Sequence, residues 1–257
     1  MKTLLFLDLD DTVLQTRHKA LRHHGVDDAA LTATAYLADG QAHGFTTPAQ
    51  RHFLHLMRGC SMIPTTARSL DSYQRVQLGM AAPEWGTPEW VILNHGGTLL
   101  DAALQPHPDW QAHMQGVMQP WLPVLEDLRQ VMEPWLAQHT PSLYVRLIGD
   151  MGQTFYVLVK DQLKLHASTL PQLIDDFLQP WLAPYPELVV HHNGNNLTVM
   201  PKALDKAHAV AFLIDHYRRN HDELLILGAG DSQSDADFLK HCDYALIPKH
   251  AQLMHRL

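Results

Sequence analysis

Apolar residues fall along this chain in two rhythms. Thr3 to Leu7, Ser61 to Thr65, Trp90 to Leu93, Leu224 to Leu227 and Tyr244 to Ile247 are short, nearly continuous apolar runs. The first of these predicts a strand buried on both faces, as in a parallel sheet, and the others predict further short strands. Helical stretches separate them. Thr47-Pro48 opens one that runs through Arg58, with Thr47 as N-cap and Pro48 in the first turn. Others run from Lys206 to Arg219 and from about Asp235 to Lys240. Thr32 to Leu37 and Gln41 to Thr46 flank Ala38-Asp39-Gly40, a hairpin with a glycine-assisted turn. Residues 16–31 read as helical or irregular.

The middle alternates differently. Helical patterns cover residues 108–118 and 121–138, the second with Trp121, Leu125, Leu128, Met132 and Trp135 on one stripe. Ser142 to Ile148 and Thr154 to Lys160 alternate as strands, and residues 169–182 form another helix. Glu187 to His192 and Asn196 to Met200 pair across Asn193-Gly194, a strong hairpin signal. Helix, two strands, helix, two strands predicts an antiparallel sheet with helices on one face. An α/β unit of residues 1–101 and 201–257 is therefore expected to flank an inserted unit of 102–200. Pro-Trp-Leu occurs at 120, 134 and 180 with unequal spacing. It is read as proline near a helix start with tryptophan packed below, not as a repeat.

Composition narrows the classes. Of 257 residues, 46% are hydrophobic and 18% charged, enough apolar surface for a real core. The 19 Lys and Arg against 27 Asp and Glu give a formal net charge of −8 with no basic run, which argues against nucleic acid or an anionic membrane as partner. No apolar run approaches the roughly 18 residues a bilayer requires. The opening Leu4 to Leu7 is cut short by Asp8, Asp10 and Asp11, too short and too acidic for a secretory signal. Cys60 and Cys242 cannot make a disulfide framework, so a reducing cytoplasm is expected. The 19 histidines are read as mostly solvated surface, and no zinc motif emerges from them.

In open α/β sheets, ligands bind beyond the carboxyl ends of the strands. Asp8-Leu9-Asp10-Asp11-Thr12 follows the first strand, Thr65-Thr66-Ala67-Arg68 the second, and Asp231-Ser232-Gln233-Ser234-Asp235 a late one, with Lys206 opening the helix before it. Carboxylates from separate strand ends suit a hard divalent cation, Mg²⁺ above all. A threonine and a lysine beside them suit phosphate oxygens. Together they predict a Mg²⁺-phosphoryl site.

These segments resemble the four motifs of the haloacid dehalogenase superfamily of aspartate-nucleophile phosphatases. Asp8 to Leu14 is similar to the first motif and Thr66-Ala67-Arg68 to the second. Lys206 after Pro201 is similar to the third, and Gly230 to Asp235 to the fourth. The order of the inserted unit resembles the C2B cap of the Cof-type and sucrose-phosphate-phosphatase group. The resemblance implies an α/β fold: a Rossmann-like core with a parallel sheet plus an inserted α+β cap (αββαββ). It implies a Mg²⁺-dependent phosphomonoesterase acting on a small phosphorylated metabolite, a sugar phosphate. Asp8 would be the nucleophile and Asp10 the general acid and base. Thr66, Ala67 and Lys206 would bind phosphate. Mg²⁺ would sit on Asp8, the Asp10 carbonyl, Asp231 and Asp235. Ala67 stands where the family has glycine and Ser234 where it has asparagine.

Arg68, Arg146 and Asn195 are candidate substrate contacts. A phosphomutase of the same fold and a non-catalytic phosphosugar-binding protein are the rival readings. An intact set of Asp8, Asp10, Thr66, Lys206, Asp231 and Asp235 argues against the second, because a pure binder needs no nucleophile. Residues 16–46 read as a surface elaboration or a lid.

Overall fold

A computed structural model describes residues 1–80, 83–139, 142–161 and 168–256. It divides into two compact units, Met1–Trp110 with Asp205–Leu257, and Gln111–Leu204. In chain order the first half of the first unit holds β1 (Lys2–Leu7), β2 (Gln15–Thr16), α1 (Arg17–His24), β3 (Thr32–Tyr36), β4 (Ala42–Thr46), α2 (Pro48–Leu56), β5 (Ser61–Pro64), α3 (Leu70–Gln74), β6 (Trp90–Leu93) and β7 (Thr98–Asp101). Helix α4 (Pro108–Met118) leads into the second unit, which holds α5 (Leu122–His139), β8 (Leu143–Asp150), β9 (Gln153–Asp161), α6 (Thr169–Leu173), α7 (Gln179–Leu182), β10 (Leu188–Asn193) and β11 (Asn196–Pro201). The chain then returns through α8 (Lys206–Arg218), β12 (Leu224–Ala229), α9 (Ala236–Leu239) and β13 (Tyr244–Leu246).

The central sheet of the first unit has the order β13-β12-β1-β5, every pair parallel. Its middle strand explains the unbroken apolar run near the start. Leu4, Leu5, Phe6 and Leu7 are all fully buried, because a strand flanked on both sides and covered on both faces has no solvent side. A parallel bridge between Thr65 and Ile92 extends the sheet to β6, and β7 folds back antiparallel on β6. That last hairpin is absent from the sequence reading. It turns through Asn94, His95 and Gly96, all at positive φ.

The small sheet β2-β4-β3 between the first two motifs includes the expected hairpin, turning at Gly40 with φ +82°. Thr47 and Gln50 form a capping box at the start of α2, with Pro48 in the first turn as the sequence indicated.

The second unit has one antiparallel sheet of order β10-β11-β9-β8. Helix α5 packs on β8 and β9 through Leu125, Leu128, Met132 and Leu136, all buried. Trp135 of the expected stripe is only half-buried and meets Phe177, ring centroids 5.8 Å apart. Pro134 lies inside α5, not at its start, so the proline reading fails for one of the three tripeptides. Pro180 sits in the first turn of α7, directly after a π-helical turn over Ile174–Leu178. Proline has no N–H and its ring crowds the carbonyl four residues earlier. The wider turn relieves this, and Gln179 N–H donates to the Ile174 carbonyl. The β10–β11 turn is Gly194-Asn195, one residue later than read, since Asn193 pairs with Asn196.

The units part at Trp110/Gln111 and Leu204/Asp205. Residues after 101 stay with the first unit for a visible reason: His107 N–H donates to Leu99 O and Trp110 Nε1–H to Gly96 O, both at 2.9 Å. No helix among the described residues is long and apolar enough to cross a membrane.

Gly96 carries more than a turn. At φ +97° a Cβ placed on it would lie 2.4 Å from the Asp205 carbonyl oxygen and 3.1 Å from Lys206 Cα. The loop after β6 thus presses on the first residues of α8, backbone against backbone. Gly96→Ala is expected to lower stability by about 1–3 kcal/mol, the usual cost of overpacking a fixed contact, with added strain from the positive φ. Urea denaturation of the two chains measures it. A loss below about 0.5 kcal/mol, the range of neutral surface changes, would show that the contact yields freely.

Candidate active site

The parallel sheet brings the first, second and fourth motifs to one end, and α8 brings the third to it. Asp8 is the first residue beyond β1, and its N–H donates to Ala229 O, the last residue of β12. Asp231 and Asp235 lie just past β12. Lys206 is the first residue of α8, whose N-cap is Asp205, the Asp205 side chain accepting from Ala207 N–H. Helix α8 therefore points its first side chain at the carboxyl ends of β1 and β12.

Lys206 Nζ donates to Asp8 Oδ1 at 2.7 Å and to Asp235 Oδ1 at 2.6 Å. All three are buried, with Lys206 2% and Asp235 0% exposed. The other Asp8 oxygen, Oδ2, accepts from the Thr12 hydroxyl at 2.9 Å, so both oxygens of this carboxylate are held. Asp235 Oδ2 accepts from Asp231 N–H, Ser232 N–H and the Ser232 hydroxyl at 2.8–3.1 Å. The Ser232 hydroxyl also pairs with that of Ser234 at 2.8 Å. A Cβ on Gly230 would come within 2.6 Å of Asp235 Cβ, so that position admits only glycine while Asp235 folds back under its own loop.

Asp8, Asp231 and Asp235 each bring a carboxylate oxygen to within 4.8 Å of the others. Three buried carboxylates and one ammonium leave an excess of negative charge, and the ionisations show it. Burial pushes the Asp8 carboxyl up to about 7, against the pull of Lys206 and helped by Asp235. Burial likewise raises Asp231 to about 8, with Asp8 and Asp235 adding to it. Burial acts on Asp235 too, but Lys206 and the Ser232 groups outweigh it and hold the carboxyl below its ordinary value. Lys206 stays charged because Asp235 and Asp8 more than offset its burial. A divalent cation among these oxygens would neutralise the excess, and an all-oxygen donor set suits Mg²⁺.

Around this cluster, Asp10 and Arg68 face each other in a two-pronged ion pair, Nε to Oδ2 and Nη2 to Oδ1, both 2.7 Å. Arg68 Nη1 donates to the carbonyl and hydroxyl of Ser72. Thr66 is fully buried at the end of β5, where its N–H donates to Ile92 O and its Oγ1 accepts from Arg68 N–H. Ala67 lies between them in the same loop. Arg146 and Asn195 belong to the second unit. Arg146 is exposed on β8 with its guanidinium 5.6 Å from the centre of the Tyr144 ring. Asn195 sits in the β10–β11 turn, where its Nδ2 donates to Asp161 O and its own carbonyl accepts from Asp161 N–H.

Three contributors went unnamed in the sequence reading of the site. The Thr12 hydroxyl on Asp8 was in view within the first motif. Asp205 had a signal, an aspartate immediately before a helical run. Gly96 had none, because its role depends on a contact with residues far along the chain.

Residues 153–252 match the haloacid dehalogenase-like hydrolase family. No curated protein matches the chain by sequence. Among solved structures, the sucrose-phosphatase of Synechocystis, determined with sucrose and phosphate, superposes with a TM-score of 0.54 at 16% identity, covering 100% of this chain and 87% of that one. A trehalose-6-phosphate phosphatase related protein gives 0.54 at 15%, over 97% and 89%. The C-terminal domain of C. albicans trehalose-6-phosphate phosphatase gives 0.52 at 15%, over 93% and 73%. At these identities the likeness is one of fold.

The raised carboxyls have a measurable consequence. Asp8 and Asp231 hold protons more tightly folded than unfolded between the ordinary value of 3.8 and about 7 and 8. The folded state then binds more protons than the unfolded one, so stability falls as pH rises through that window. Asp235 acts with the opposite sign, losing its contribution only as pH falls below its ordinary range. In chelator, Tm is expected to drop from about pH 5 to about pH 8, and added Mg²⁺ is expected to raise Tm more at the higher pH. A Mg²⁺ shift of equal size at both pH values, or none, would contradict this placement of charge.

Proposed function

We propose that this chain, which shares the fold of the haloacid dehalogenase-like hydrolases and matches that family over residues 153–252, is a Mg²⁺-dependent phosphomonoesterase acting on a small phosphorylated metabolite, a sugar phosphate. One observation carries the reading: Asp8 is a buried carboxylate anchored at both oxygens, with a buried lysine and two more carboxylates beside it. A structural ion pair needs one partner for each charge. Here the surplus of carboxylates suits a divalent cation, whose charge then lets a phosphate dianion approach.

In this reading an Asp8 oxygen attacks phosphorus, the ester P–O bond breaks, and the phosphoryl group becomes an aspartyl phosphate. Asp10 donates a proton to the departing sugar oxygen and then takes one from the water that attacks the same phosphorus, regenerating Asp8 and releasing phosphate. Lys206 supplies positive charge to the phosphoryl oxygens. The Thr66 hydroxyl, whose oxygen already accepts from Arg68 N–H, keeps its proton to donate to them. Arg68 engages both Asp10 oxygens, so one prong of that fork has to open before Asp10 carries the proton it donates. Asp8, Asp231 and the Asp10 carbonyl would hold Mg²⁺, with Asp235 behind them tying Lys206 to the loop. The bound cation supplies charge neutralisation for the phosphoryl group and keeps Asp8 ionised at neutral pH.

The sugar-phosphate class rests on the solved neighbours, two of them phosphatases of sucrose or trehalose phosphates by name, and on the second unit. That unit enters the chain between Thr66 and Lys206 with a sheet of its own. It is proposed as the part that distinguishes leaving groups. The expected compartment is the cytoplasm, in keeping with two free cysteines.

Phosphate release from a panel of phosphorylated sugars, with Mg²⁺ and with chelator, tests the function. Hydrolysis is expected only with the metal. Asp8→Asn is expected to lower kcat by at least about 10³-fold while leaving Tm near or above the parent value, since an amide of the same shape cannot attack. Retention of a tenth of the activity, or full activity in chelator, would exclude the reading.

A further inference from the structure

Thr12 is the only side chain among the described residues to hydrogen-bond Asp8 Oδ2; its hydroxyl also lies 3.5 Å from Asp231 Oδ1, and one contact on its backbone comes from outside the motifs. The backbone around it is a tight loop: Val13 and Leu14 N–H both donate to Leu9 O at 3.0 Å, Asp11 N–H donates to Leu14 O, and Asp11 has φ +61°. Aspartate enters the left-handed region more readily than most residues, and Lys19 Nζ donates to the Asp11 carboxylate.

The loop is also held from the first turn of α2. Gln50 is buried, 8% exposed, and both ends of its amide are committed. Its Oε1 accepts from Thr47 N–H at 2.9 Å and from the Thr47 hydroxyl at 3.1 Å. Those donors fix which way the amide faces, so Nε2 must point away from Thr47. It donates to the Thr12 carbonyl at 3.3 Å. Thr47 Oγ1 in turn accepts from Gln50 N–H, closing the capping box. One side chain therefore completes the helix cap and holds the nucleophile loop. The next residue, Arg51, braces the adjoining small sheet, its Nη1 donating to Ala30 O, the Thr32 hydroxyl and Thr46 O.

We infer that Gln50 is a positioning residue for the phosphoryl-transfer reaction, acting through the Thr12 carbonyl to set the orientation of the Asp8 carboxylate. The catalytic part rests on the reading of Asp8 as nucleophile; the link from Gln50 to the loop does not. With Oδ1 held by Lys206 and Oδ2 by Thr12, a shift of Thr12 turns the carboxylate about the lysine contact. Misplacing a reacting atom by about 1 Å costs up to about a hundredfold in rate.

Two variants separate this role from simple capping. Gln50→Glu keeps a residue that serves the capping box but replaces the donor facing Thr12 with a carboxylate oxygen. Gln50→Leu loses both functions. If Gln50 positions the loop, both variants lower kcat for p-nitrophenyl phosphate with Mg²⁺ by about ten- to a hundredfold, with KM within about twofold. In both, amide hydrogen exchange of Val13 and Leu14 also speeds up by about tenfold or more. If Gln50 only caps α2, Gln50→Glu matches the parent in kcat and in exchange while Gln50→Leu loses Tm, and that result overturns the proposal. Should the parent chain hydrolyse no phosphoester, the proposed activity falls, and exchange at Val13 and Leu14 alone decides the link: unchanged exchange in Gln50→Glu refutes it.

Discussion

The Lys206 ammonium between Asp8 and Asp235 is the constraint on which the rest of the first unit depends. It joins residues 198 and 29 positions away in the chain, and none of the three is open to solvent. An ammonium buried there without its partners would carry a desolvation cost of several kcal/mol, and so would each carboxylate without it. The pair is therefore stable only when β1, β12 and the start of α8 are all in place. Other local features serve that meeting. Asp205 caps α8, Gly96 lets the loop after β6 lie against its first residues, and Gly230 lets Asp235 fold under its own loop.

The same arrangement separates structure from chemistry within one cluster. Asp235 accepts four hydrogen bonds and stays ionised, so it acts as the fixed counter-charge of Lys206. Asp8 and Asp231 have fewer partners, and burial raises their carboxyls above the ordinary value. A divalent cation among these oxygens would offset their excess negative charge. Ser234, where the resembling family has asparagine, fits this division: its hydroxyl joins that of Ser232, which already serves Asp235.

Much of this was legible in the sequence, and the exceptions have physical causes. Apolar runs marked β1, β5, β6 and β12 because buried parallel strands have no polar face. Caps marked α2 because Thr47-Pro48 is a local signal. Strand β7 was missed because Asn94-His95-Gly96-Gly97 gives no hairpin dipeptide and turns instead through three residues at positive φ. The inner position of Pro134 was missed because a single proline can start a helix or interrupt one, and packing of α5 on β8 and β9 decided for the second. In the site, residues that react or pair through charge stood out by type and spacing. Those that act by being small, like Gly96, or through one amide, like Gln50, did not, since their roles exist only after distant segments meet.

The central claim is that Asp8 takes the phosphoryl group before water does, and the stereochemical course at phosphorus tests it most directly. Hydrolysis of a phosphomonoester made chiral with oxygen isotopes, in the presence of Mg²⁺, yields inorganic phosphate whose configuration can be read by ³¹P NMR. Two successive in-line displacements, first by Asp8 and then by water, predict net retention. Net inversion would mean that water attacks the substrate directly, and Asp8 would then be no nucleophile.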